Sequence, residues 1–591
     1  MPEGAPQAEQ KRPVAGTSVP QDEQGGMNFP VTVYRVGREV SQFSEFLRPD
    51  TRCITIRAMT SRFGRWLRDP LILLCLIAGL LAFVVQSGEL GTSDTTTRLQ
   101  TTHWLWTSEP QVFPNEFGLP GRGGRLYSWY GIGQSLLMLP ADVAGTWIAR
   151  WEIFSGYGDD PGVRSIVVSY STSILVNVLT AVVGFRLLRQ LRFSVREAVL
   201  GVLALMFCTT HLHYTQNLME NNYILLLTLV GFSFQYEWLR TGSVRALFIG
   251  CAALGLNLLT RITTGLDLMA AGFFLLLVLW FEGIRGMELW RRFVAYCKVA
   301  VPMYTFFFLV DRLYQFYRFG SFTNTYASLY AKQQRLLHPT LPANLPWSTP
   351  FHEGFLGPLF KPEKSIFLFD PLLVLAILLT VVLWKRFSPE IRAYVVASSL
   401  LLLGYICFYA RYTYWAGDFA WGDRYVSTSV ELAVLLAVPL LLRYRENLRA
   451  WIWHGGIVLV AASLMIQLAS LAFWLPLEIY QMETLGHPTF VVVLRFKNIA
   501  AFALGKVDAW GLDTEAMHWD AWDYVHITTW NFLPFLLRRV GTAPAWVAQA
   551  AFVVWWTVLA ALAGILLRLR TAISNAKDFG AVQKAAGSSK I

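Results

Sequence analysis

Apolar runs near 20 residues long recur along the chain, each closed by a short polar or basic segment. A helix rises about 1.5 Å per residue, so about 20 apolar residues cross the hydrocarbon core of a bilayer. On that pattern, spans are expected at approximately 70–87, 165–186, 197–214, 222–239, 246–262, 264–284, 293–313, 366–385, 392–411, 428–443, 452–474 and 546–567. The expected fold is an all-α polytopic membrane protein with about twelve transmembrane helices. One more apolar run, about 130–149, does not fit as a span. If it crossed, the basic segments would lie outside: Arg186–Arg196, Arg240 and Arg245, Arg285–Arg292, Lys385–Arg392, Arg443–Arg449, and Arg568 with Arg570. Lys and Arg collect on the cytoplasmic side, so 130–149 is read as a re-entrant or interfacial helix in the first external loop. Gly131, Gly133, Pro140 and Asp142 suit that role.

Composition supports this class. Hydrophobic residues are 54% of the 591, charged residues are 15%, and mean hydropathy is +0.42, which excludes an ordinary soluble domain. The net charge of +11 resides largely in the short loops, so it reports topology and not nucleic-acid binding. The six Cys are scattered, without metal-ligand spacing or a disulfide framework, and no metal or cofactor is expected. Residues 1–68 form a cytoplasmic, partly disordered region, and the first span is an uncleaved anchor. Residues 69–474 form the main transmembrane module, with external loops 88–164, 314–365 and 412–427. Residues 475–545 form a further external loop and 546–591 the last helix and tail, so both termini are cytoplasmic.

Polar chemistry then gathers on the external side. Glu89-Leu-Gly-Thr-Ser-Asp94-Thr-Thr-Thr-Arg98 follows the first span. Asp94 there is either a helix N-cap, as Ser93 and Thr95 also can be, or a carboxylate held charged in a sheltered boundary site. Further external groups are Arg122, Arg125, Tyr127, Tyr130, Gln134, Glu220, Arg261, Lys361, Lys364, Trp415, Asp418, Asp423 and Arg424. Each has a plain alternative: headgroup contacts or snorkelling for the cations, dipole complementation for Glu220, an aromatic belt for Trp415. Asp311 and Arg312 read as a structural ion pair. His211 and His213, two apart, read as packing and not zinc ligands. Together the set suits a substrate with a lipid tail, an anionic phosphate and a polar sugar.

The order of motifs resembles the GT-C superfamily of integral-membrane glycosyltransferases, more narrowly the bacterial phospholipid-carrier-dependent, family-39-like members. The motifs are Asp94 after the first span, Tyr-Ser-x-Tyr-Gly-x-Gly-Gln-Ser-Leu-Leu (127–137), Glu220, Thr-Arg (260–261) and Phe-Gly-Ser-Phe-x-x-x-Tyr (319–326). After these come Gly-Phe-Leu-Gly-Pro-Leu-Phe-x-Pro-x-Lys-Ser-Ile-Phe-Leu-Phe-Asp-Pro (354–371) and Trp-x-Gly-Asp-x-Ala-Trp-Gly-Asp-Arg-Tyr (415–425). The resemblance implies an inverting transferase that moves a sugar from a polyprenyl-phosphate carrier to an acceptor hydroxyl on the external face of a bacterial inner membrane. It implies Asp94 as catalytic base and Glu220 as a second active-site acid. Phosphate and sugar contacts fall to Arg98, Arg122, Arg125, Tyr127, Tyr130, Gln134, Arg261, Lys361, Lys364, Trp415, Asp418, Asp423 and Arg424. Thr95 stands where those relatives carry a second acid, which argues against protein O-mannosylation and a metal-binding carboxylate pair. The implied partners are the sugar lipid, a lipid, glycan or protein acceptor, and membrane lipids; the 475–545 loop is a possible acceptor region. A transporter or lipid-linked-sugar flippase is the alternative, and a non-catalytic assembly protein a third reading.

Overall fold

The computed structural model describes residues 69–114, 118–154, 161–417, 420–506, 527–540 and 543–575. The expected cytoplasmic, partly disordered region 1–68, Asp418, most of the Trp510–Trp530 stretch and the end of the C-terminal tail lie outside the described residues. Helices dominate. Among the described residues the strands are one antiparallel pair, Leu119–Pro120 with Leu126–Tyr127.

Among the described residues, six helices are long and apolar enough to cross a membrane: Val163–Gln190, Ile262–Phe281, Gly286–Phe319, Pro389–Tyr409, Ala450–Ser470 and Ala545–Ile573. A seventh is the pair Val195–Phe207 and His211–Asn217, bent by 54°. The chain is an integral membrane protein. The expected number of about twelve also counts shorter and interrupted helices. Pro70–Val85 and Val244–Thr260 have 16 and 17 residues. The 366–385 run breaks into Ile366–Phe369 and Leu372–Leu383 around Pro371, and 428–443 into Ser427–Val434 and Ala437–Arg443 beside Pro439. Proline lacks the N–H and clashes with the preceding turn, so these runs bend where a continuous span was expected. The Gly133–Ala149 helix is not among those able to cross.

One large apolar cluster ties the Pro70, Val163, Val195, Glu220, Val244, Gly265 and Pro389 helices together, with Leu73, Leu187, Phe232, Leu254, Phe274 and Tyr394 buried in it. In contrast, only 6% of the apolar window of Gly286–Phe319, and of Ala545–Ile573, is covered by protein. Those two helices therefore present their apolar faces to lipid.

The first helix starts on an Asp69 cap, whose Oδ1 accepts from Leu71 N at 2.8 Å, with Pro70 in the first turn. Past Val85 the chain turns at Gly91, where φ is +72° and an added Cβ would lie 2.7 Å from the Asn217 backbone. The Ser93–Trp104 helix follows. It is fastened to the Gly133–Ala149 helix: Ser135 Oγ donates to Arg98 O (2.9 Å) and Thr102 Oγ1 to Ser135 O (3.2 Å). Near its end, His103 Nδ1 lies 3.0 Å from Asp142 Oδ2, and Trp106 Nε1 and Arg164 also donate to Asp142. The glycines of the Tyr-Gly-Ile-Gly motif let this helix start directly on the end of the Val244–Thr260 helix. A Cβ on Gly131 would strike Leu259 O, and one on Gly133 would strike Thr260 Oγ1. That contact fixes Arg261, the next residue, relative to Tyr130.

Candidate active site

Thr92 caps the Ser93–Trp104 helix, with its side chain accepting from Thr95 N. Asp94 is thus released from capping, and its carboxylate faces two other elements. Arg424 Nη1 donates to Asp94 Oδ2 at 2.9 Å, and the Tyr130 hydroxyl donates to Oδ1. Asp94 keeps 17% of its side chain exposed against 4% for Glu220, so it is the outer of the two carboxylates. Burial, and then the Asp94 carboxylate beside it, push the Tyr130 phenol well above its ordinary range, so Tyr130 remains a proton-bearing donor to Asp94.

Arg98 lies one turn beyond Asp94 on the same helix face. Its guanidinium covers the Tyr130 ring at 4.3 Å, and Nη1 lies 2.8 Å from Glu220 Oε2. Arg261 donates to the other oxygen, Glu220 Oε1. Glu220 therefore clamps two arginines from two different helices. Arg261 and Arg424 both lie over the Tyr425 ring, each at 5.3 Å. Asn221 Nδ2 donates to Arg424 O at 2.7 Å, and Gln134 Nε2 to Leu218 O at 2.8 Å. Leu218 is left-handed (φ 45°) at the end of the His211 helix, and Gln134 satisfies its carbonyl. Asp423 accepts from Tyr425 N at 2.9 Å, and burial pushes its carboxyl up to about 7.

Three guanidinium groups, of Arg98, Arg261 and Arg424, thus stand against two carboxylates, of Asp94 and Glu220. A partly enclosed site with surplus positive charge favours an anion such as a phosphate. One carboxylate at its open edge can accept a proton.

The structure brings Asp94, Arg98, Tyr130, Gln134, Glu220, Arg261 and Arg424 into this centre, sets Asp423 next to it with its carboxylate turned to the Tyr425 backbone, and places the other expected residues elsewhere. Lys364 Nζ donates to Ala420 O (2.8 Å) and Gly422 O (3.3 Å), a strut beneath the loop that carries Arg424. Lys361 pairs with Glu353 at 3.0 Å on the surface and lies over Trp415, which packs onto Gly357. Arg122 rests over Phe316, and Tyr127 packs edge-on to Tyr317 and Phe319. Arg125 is exposed at a neighbouring cavity. His211 pairs with Asn177 and His213 with Asn217. Asp311 and Arg312 pair as expected, and Arg312 also holds Phe322 O and Asn324 O.

Two contributors are absent from the sequence-based set. Arg318, fully buried, donates to Ser128 O and Tyr130 O and so fixes the segment that presents Tyr130. Its signal is its place just before the Phe-Gly-Ser-Phe motif, at the end of an apolar helix. Tyr425, the last residue of the Gly-Asp-Arg-Tyr motif, supplies the shared ring under two arginines.

No protein-family model matches the chain, and no curated protein sequence matches it. Among solved structures it is similar to the archaeal oligosaccharyltransferase AglB from Archaeoglobus fulgidus, in complex with an inhibitory peptide and a dolichol-phosphate. Identity is 14% and the TM-score 0.37, over 69% of this chain and 55% of that one. The chain thus spans about half the length of that protein, and a likeness of this size leaves the functional reading to the residues themselves.

Proposed function

We propose that this protein is an inverting glycosyltransferase of GT-C type, taking a sugar from a polyprenyl-phosphate carrier at the external face of a bacterial inner membrane. The observation that carries the reading is the joint placement of Asp94 with three arginines, drawn from three separate chain segments, where the apolar helices end. Arg424, Arg261 and Arg98 take the carrier phosphate. When Arg424 turns to that anion, Asp94 Oδ2 becomes available. Asp94 then accepts the proton of an acceptor hydroxyl as its oxygen forms a bond to the anomeric carbon. The bond from that carbon to the phosphate oxygen breaks, and the leaving polyprenyl phosphate keeps the electron pair beside the arginines. Glu220, committed to Arg98 and Arg261, orients the cations, and Tyr130 orients Asp94. In this reading the interrupted helices complete about twelve spans and both termini are cytoplasmic.

The test is incubation of the purified protein with a mixed extract of native polyprenyl-phosphate sugars and candidate acceptors, followed by mass spectrometry of the carrier. Wild type removes sugar from one carrier species and Asp94→Asn does not. Equal loss with both proteins would refute the assignment. A flippase is the second reading, favoured by Asp370 and Glu431, two buried carboxylates that share the Thr210 hydroxyl among apolar helices. It predicts lipid translocation in vesicles that is lost in Glu431→Gln and kept in Asp94→Asn.

A further inference from the structure

At the end of the Ser93–Trp104 helix away from Asp94, a cavity of about 480 Å³ opens. Trp104, Glu109, Gln111, Arg125 and Tyr127 line it. Its size falls in the range of about 300–1,000 Å³ typical of small-ligand pockets. The walls are built, not incidental. Gln111 is buried, donating to Tyr314 OH at 2.9 Å and accepting from Ser128 N at 3.0 Å. Glu109 accepts from Gln100 Nε2 at 3.2 Å. Trp104 is set against Tyr317, with ring centroids 6.1 Å apart. The Arg-Gly-Gly-Arg turn has a reason here: Gly123 and Gly124, with φ of +71° and +70°, close the two-stranded hairpin, and Gly121 N donates to Arg125 O at 2.9 Å. That turn carries Arg125 to the rim while Arg122 points away onto Phe316.

Two struts join this cavity to Asp94. One is the helix itself, on which Asp94 and Trp104 lie roughly 15 Å apart at about 1.5 Å per residue. The other is the segment from Tyr127, in the cavity wall, to Tyr130, on Asp94. An aromatic face with a carboxylate and a guanidinium around it is the chemistry that binds a polyhydroxylated ring: stacking on the apolar face and hydrogen bonds to the hydroxyls.

We propose that this cavity is an acceptor subsite for a linear oligosaccharide, holding sugar units that lie several positions from the hydroxyl presented to Asp94. The inference rests on the transferase reading for its purpose but not for its chemistry. It selects an extended glycan acceptor over a monosaccharide, because only a chain spans from Trp104 to Asp94.

The experiment is equilibrium binding to the full-length protein in detergent, without sugar donor, using fluorophore-labelled tetrasaccharides of linked glucose, N-acetylglucosamine or mannose and the matching monosaccharides. At least one tetrasaccharide binds more tightly than its monosaccharide. Trp104→Ala and Arg125→Ala each weaken it by about tenfold. Arg125 is exposed, so its variant folds. Absence of tetrasaccharide binding, equal binding of the monosaccharide, or unchanged affinity in both cavity variants would overturn the proposal. Cavity-dependent tetrasaccharide binding by a protein that consumes no sugar lipid would keep the subsite and remove the transferase reading.

Discussion

Two buried ionic centres of this protein use the same residue types to opposite ends. In one, Arg495 donates through Nε and Nη2 to both oxygens of Glu478, at 2.6 and 2.7 Å, and through Nη1 to Ser470 O and Phe473 O. Asn498 adds a bond to the same carboxylate at 2.9 Å, and Gln481 locks Asn498. Both charged side chains are 0% exposed. One cation meets one anion, each oxygen is used, and solvent is shut out. In the other, two carboxylates meet three guanidinium groups, and the outermost carboxylate, Asp94, is partly exposed. The first centre is complete and knits the Pro476–Glu483 helix to Val491–Ala503. The second carries spare positive charge and a partly exposed carboxylate. A satisfied, neutral pair holds a fold together; an unbalanced, accessible one is poised to take a ligand.

This contrast can be broken in order of expected effect. Arg495→Ala leaves the Glu478 carboxylate buried and unpaired, so it should cost about 3–5 kcal/mol of stability, read as a lower midpoint in thermal unfolding with sugar-lipid affinity unchanged in the folded fraction. Glu220→Gln removes the clamp on Arg98 and Arg261. It should cost stability towards the lower end of that range, about 3 kcal/mol, and also lower the transfer rate, the double loss separating it from Arg495→Ala. Arg424→Lys keeps the charge and loses the planar fork; the KM for sugar lipid should rise about tenfold, equivalent to about 1.4 kcal/mol, without a change in unfolding midpoint. Tyr130→Phe removes one hydrogen bond to Asp94, about 1 kcal/mol, seen as a several-fold fall in kcat.

The smallest effect concerns pH. Asp423 has its carboxyl pushed up to about 7 by burial, against an unfolded value near 3.9. Between those values the folded state holds a proton that the unfolded chain releases. Its contribution to stability is therefore intact in acid and falls as pH rises from about 4 to about 7. Asp423→Asn should flatten that part of the stability profile, measured as thermal midpoint against pH.

Much of the site was legible because its residues lie immediately outside apolar runs. Asp94, Glu220 and Arg261 each mark a helix end, and Tyr130 and Arg424 lie in compact aromatic or glycine-containing motifs. What sequence order could not supply was pairing. Lys361 and Lys364 occur in one motif, yet three positions put one on a surface glutamate and the other under the Ala420–Gly422 backbone. Arg318 is one of five cations in a 34-residue helix, and its carbonyl partners lie 188 and 190 residues away. The helices within 475–545 do not stand out in the sequence because their apolar runs are short, and the ion pair that fixes them spans 17 residues. The interrupted spans were smoothed over because hydropathy averages across a proline.

The most direct measurement is the rate of sugar loss from the polyprenyl-phosphate carrier by Asp94→Asn protein, with its thermal unfolding midpoint taken alongside. The asparagine keeps the side chain's shape and removes the base, so the rate should fall by about 100- to 10,000-fold while the midpoint stays with wild type. A variant that unfolds like wild type and still transfers sugar at the wild-type rate would contradict the account.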